Sequence, residues 1–64
     1  MKSYYFTFGF GQPGYPGYVK VIADNEENAR KIMFDRYKNK WGMCYNSYDK
    51  MHPSDAVYER DSLP

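Results

Sequence analysis

Tyr4-Tyr5-Phe6-Thr7-Phe8-Gly9-Phe10-Gly11-Gln12-Pro13-Gly14 carries an alternating aromatic segment straight into a glycine-rich loop. From Lys2 to Phe10, the side chains of Tyr4, Phe6, Phe8 and Phe10 share one face and those of Ser3, Tyr5, Thr7 and Gly9 the other. That period of two predicts a strand. The letters Gly9-Phe10-Gly11-Gln12-Pro13-Gly14 match a nucleotide-binding glycine loop, in which bare backbone N–H groups and a following helix N-terminus hold a phosphate. Here the next regular segment, Tyr18 to Ala23, is rich in β-branched residues and reads as a second strand. No helix opens where the phosphate would sit. Two prolines and three glycines between Gly11 and Gly17 suit a broad hairpin loop instead.

Beyond the second strand, Asp24-Asn25-Glu26-Glu27 has the form of a capping box, with Asp24 as the cap and Glu27 reaching back. A helix follows, placing Ala29, Ile32, Met33 and Tyr37 on an apolar stripe, Phe34 on its flank, and Glu27, Asn28, Lys31, Asp35 and Lys38 opposite. It should end near Lys38-Asn39-Lys40, where Asn tolerates a left-handed backbone and basic residues suit the last turn. Trp41-Gly42 turns the chain into a third strand over Met43 to Tyr48. The expected fold is α+β: a two- to three-stranded, mainly antiparallel sheet in the order β-β-α-β, with one amphipathic helix packed across one face. Residues 1–50 make this single domain. Residues 51–64, with two prolines, several charges and little periodicity, read as an irregular C-terminal tail.

Composition narrows the function. A chain of 64 residues buries only about 60% of its unfolded surface, so its many aromatics, one residue in five, must supplement a small core. Nine basic and eight acidic side chains leave a net charge of +1, which argues against acidic mimicry of DNA and against a strong general pull toward phosphate. The lone Cys44 cannot form an internal disulfide, and with only His52 beside it there is no metal-ligand set. No cofactor is expected. The N-terminus lacks the apolar run of a signal peptide and no window is long enough for a membrane span, so a cytoplasmic location is expected.

Catalysis has little to work with. Cys44 and His52 are the one nucleophile and base pair, and a single buried cysteine behaves as a small hydrophobe. The carboxylates Asp24, Glu26 and Glu27 are accounted for by capping. The expectation is a protein that is not an enzyme. A sheet face carrying Tyr5, Tyr18 and Lys20, with Arg30, Arg36, Lys38 and Lys40 nearby on the helix, could stack bases, so nucleic-acid or nucleotide binding stands as the alternative. Protein recognition fits best, because Tyr and Trp supply rigid rings with a polar tip and dominate binding hot spots. Phe10, Gln12, Tyr15 and Tyr18 are the preferred contacts, followed by Lys20, Tyr5 and Trp41, the last of which can equally plug the core at the helix end. An aromatic outer face also suggests homodimerisation.

The pattern Tyr5-Phe6-Thr7-Phe8-Gly9, Tyr18-Val19-Lys20-Val21-Ile22-Ala23-Asp24, Ala29-Arg30, Met33-Phe34 and Lys40-Trp41 resembles short uncharacterised proteins of phages and mobile elements of Gram-positive bacteria. The resemblance covers roughly the first forty-five residues and leaves out the tail. It implies a setting in which a small protein binds a host bacterial protein and blocks it, as a counter-defence inhibitor such as an anti-CRISPR protein does. The balanced charge implies occlusion or conformational trapping rather than imitation of DNA.

Overall fold

A computed structural model describes residues 1–63. The elements are β1 (Lys2–Thr7), β2 (Gly17–Ala23), α1 (Glu26–Tyr37), β3 (Met43–Tyr45), a short 3-10 turn (Tyr48–Lys50) and β4 (Tyr58–Leu63). The fold is α+β, with one helix on a four-stranded mixed sheet in the order β3-β1-β2-β4. β1 pairs antiparallel with β2, Phe6 opposite Val19 and Tyr4 opposite Val21, and antiparallel with β3, Phe6 opposite Cys44. The aromatic alternation thus puts Tyr4, Phe6, Val19, Val21 and Ala23 on the helix side, where all are buried together with Phe8, Ala29 and Met33. Ile32, Tyr37 and Trp41 pack against this core from its margin.

The stretch expected to be an irregular tail contains a strand over Tyr58–Leu63: β4 lies parallel to β2, with Tyr18 opposite Glu59 and Val19 opposite Asp61, while residue 64 lies outside the described residues. Its charged letters Tyr58-Glu59-Arg60-Asp61 hid it, since an edge strand has no second sheet neighbour to demand apolar alternation and natural edges carry charge as protection against further pairing. The register slips by one at Arg60, a bulge that brings Asp61 to the helix side, where its carboxylate accepts from the Tyr37 hydroxyl at 3.2 Å. Leu63 then closes the core.

Element ends also shift. β1 stops at Thr7 rather than Phe10, and β3 covers only Met43–Tyr45. The helix cap is Asn25, not Asp24: the Asn25 side chain accepts from the Asn28 N–H at 2.8 Å, the same three-residue reach moved on by one. At the other end Lys38, not Asn39, takes the positive φ of 60°. No helix among the described residues is long and apolar enough to cross a membrane.

Candidate functional site

Strand register brings four segments to one end of the sheet. Thr7 ends β1, Gly17 starts β2, Met43 starts β3 opposite Thr7, and Tyr58 starts β4 opposite Gly17. The loop from Phe8 to Pro16 spans this end as a chain of tight turns. The Gln12 N–H donates to the Gly9 carbonyl at 2.9 Å, the Tyr15 N–H to the Gln12 carbonyl at 3.1 Å, and the Gly17 N–H to the Gly14 carbonyl at 2.8 Å. The Gly9 N–H donates to the Gln12 side-chain oxygen. These amides are spent within the loop, and the chain leaves it into β2 rather than a helix, so the glycines here serve turning. Gly11 has φ +95°, and a Cβ on Gly14 would lie 2.5 Å from the Phe8 ring. Gly14 is therefore the residue that lets the loop fold down over a buried aromatic.

The turns leave Phe10 at the tip, 92% exposed, with its ring edge-on to Tyr15 at 5.6 Å between centroids. Val57 is tied to the same end by its N–H, which donates to the Pro16 carbonyl at 3.0 Å. Among the described residues, seven large apolar side chains are exposed, and four of them lie at this end: Phe10, Met43, Val57 and Tyr58. Exposed rings and methyls gathered at one rim are what a contact surface requires, and single scattered ones are not. Sequence reasoning found Phe10, Gln12 and Tyr15 and missed Met43, Val57 and Tyr58. Strand pairing brings them to the loop end: Met43 through β3 opposite Thr7, and Tyr58 with the adjoining Val57 through β4, whose letters conceal a strand.

No protein family, curated protein or solved structure matches this chain.

Other predicted contacts fall elsewhere. Tyr5, Tyr18 and Lys20 lie on the open face of the sheet, away from the helix, but they do not form a bare platform. Tyr48 folds over them, with ring centroids 5.8 Å from Tyr5 and 5.6 Å from Tyr18, so that Tyr18 is buried. Burial, with the nearby Glu59 carboxylate, raises the Tyr18 hydroxyl above its ordinary pKa. Trp41 belongs to the helix side. It meets Phe6 edge-on at 4.9 Å, donates from Nε1 to the Lys38 carbonyl at 3.1 Å, and carries the Arg30 guanidinium over its ring. It is half-buried and packs against the core at the helix end.

Cys44 and His52 are set apart. Cys44 shares the helix side with Phe6, and burial pushes its thiol up to about 11, the wrong direction for a nucleophile at neutral pH. His52 follows the turn that lies over the other face, and its Nδ1 is engaged by the Ser54 hydroxyl at 2.6 Å.

Proposed function

We propose that this chain is a protein-binding inhibitor that acts through the loop end of its sheet. Support comes chiefly from the gathering of Phe10, Met43, Val57 and Tyr58 at one rim, flanked by Tyr15, on a body measuring 28 × 24 × 15 Å. An anchor ring such as Phe10 inserts into a pocket of the partner, and the surrounding residues exclude water from it. The sequence resemblance to phage and mobile-element proteins directs the reading to a host defence protein in the bacterial cytoplasm, a CRISPR effector being the foremost example. Nine basic and eight acidic side chains give no polyanionic surface, so inhibition proceeds by steric occlusion or by trapping one conformation. The role is non-enzymatic.

Two measurements test this. Tagged protein is used to capture partners from lysate of a phage-sensitive Gram-positive host, and plating of a CRISPR-targeted phage is scored with and without the protein. A stoichiometric protein partner together with rescued plating is expected. Failure to rescue plating against every defence system of the host would remove the inhibitor reading. A second copy of the chain as the sole partner, seen as a dimeric mass in light scattering, would replace it with self-association.

A further inference from the structure

The proposed protein-binding rim leaves unexplained a second feature on the helix side of the same end. A cleft of about 220 Å³ is lined by the basic side chains Arg36, Lys38, Lys40 and Arg60 and floored by Phe8 and Tyr37. Four of the nine basic residues of the chain thus converge from three separate segments: the last helical turn, the connection that follows it, and β4. Pro13 and Gly14 of the loop form the facing wall. We propose that this cleft binds a phosphate group.

Arg36 is paired with Asp61 at 3.6 Å, and the Lys38 ammonium reaches the Asp35 carbonyl at 3.5 Å. Among the described residues neither Lys40 nor Arg60 is in an ion pair. Four cations set against one carboxylate leave a local excess of positive charge that attracts an anion. Two guanidinium forks match the paired oxygens of a phosphate, and the ammonium groups add point charge. The helix C-terminus, whose dipole would repel an anion, is already occupied by donors: the Lys38 N–H on the Phe34 carbonyl at 2.9 Å and the Lys40 N–H on the Tyr37 carbonyl at 3.1 Å. Alternation from Glu59, opposite the open-face Tyr18, puts Arg60 on the helix side, and the bulge places Asp61 there with it. The Phe8 and Tyr37 rings meet edge-on at 5.5 Å and give the cleft a firm apolar floor on which charge is less screened than in water.

The phosphate can come from a free mononucleotide or from the backbone of a strand, and the two are told apart by titration. The intact chain is titrated calorimetrically at low salt with adenosine monophosphate, with adenosine, and with a single strand of thymidylate about eight nucleotides long. Saturable binding of the monophosphate with none of adenosine assigns the free monoester; saturable binding of the strand alone assigns the diester. In either case Lys40→Gln and Arg36→Gln, both exposed positions, should weaken binding by roughly tenfold, the size of a lost charge-assisted hydrogen bond. Asp61→Asn should tighten it severalfold, because it removes the competing negative charge while leaving a polar amide of the same shape at the position. A tightening is the decisive sign, since damage to the fold cannot produce it. No binding of either phosphate ligand, or an unchanged affinity in folded Lys40→Gln and Arg36→Gln, would overturn the proposal without touching the protein-binding rim.

Discussion

The two faces of the sheet are built from the same aromatic-rich strands but packed to different ends. On the helix side Phe6, Val19, Val21, Ala29 and Met33 are fully enclosed. On the open side the rings of Tyr5, Tyr18 and Tyr48 lean on one another at 5.6 to 6.1 Å, Tyr48 being supplied by the 3-10 turn, and Met51 just after that turn is buried outside the helix-side core. One face is sealed by a twelve-residue helix. The other is covered by a short irregular segment whose Tyr48 ring is itself half exposed, so more of the stability resides with the first. The proposed functional rim runs along the end where the two faces meet.

Phe6→Ala should have the largest effect. Removing a fully enclosed ring costs about 3–5 kcal/mol, comparable with the whole stability of a chain this short at roughly 0.05–0.15 kcal/mol per residue. Circular dichroism should show a largely unfolded chain. Gly14→Val tests the crossing of the loop over Phe8: its Cβ would meet that ring, and overpacking of this kind costs about 1–3 kcal/mol in urea denaturation. Tyr48→Ala removes one ring of the open-face cluster and should cost less, about 0.5–1.5 kcal/mol for its edge-on ring pairs. If Tyr48→Ala proved as damaging as Phe6→Ala, the two faces would be equivalent and the distinction lost.

Alkali should sharpen the same contrast. Burial raises the Cys44 thiol from 9.0 to about 11 on the helix side, and burial also raises the Tyr37 and Tyr18 hydroxyls above 10.0. Each group is held neutral by folding. Its contribution is therefore intact below the unfolded value and is lost as pH rises toward the folded one. The thermal midpoint should be steady up to about pH 9 and fall above it, and Cys44→Ala should remove the first part of that fall. Alkylation of Cys44 by iodoacetamide at pH 8 should be slow in the folded chain and fast in denaturant.

Much of this architecture was legible in the sequence because burial imposes periodicity. Tyr4, Phe6 and Phe8 alternate because one side of β1 is enclosed, and Ala29 and Met33 recur because α1 has one covered stripe. β4 was not legible for the converse reason. As an edge strand it buries chiefly Leu63, so Glu59, Arg60 and Asp61 erase the alternation, and parallel pairing with β2 comes from a distant segment rather than a hairpin. The candidate site was half legible. Phe10 and Tyr15 stood out as rings in a loop, whereas Met43, Val57 and Tyr58 join them through strand register, and Tyr18 was lost from the exposed set because Tyr48 folds back on it. The four cations of the cleft were scattered through a chain of near-neutral charge, and only the pairing of β4 with β2 brings Arg60 to the helix end.

The rim is most directly tested by Phe10→Ser, a change at a side chain that is 92% exposed and outside the core. Wild-type and variant protein, each shown to have the same thermal midpoint, are compared for stoichiometric capture of the host protein and for rescue of the targeted phage. Loss of capture and rescue by at least about tenfold, as expected for a hot-spot ring, is the predicted result. Full capture and rescue by a folded Phe10→Ser chain that also carries Val57→Ser would show that the loop end is not the contact surface.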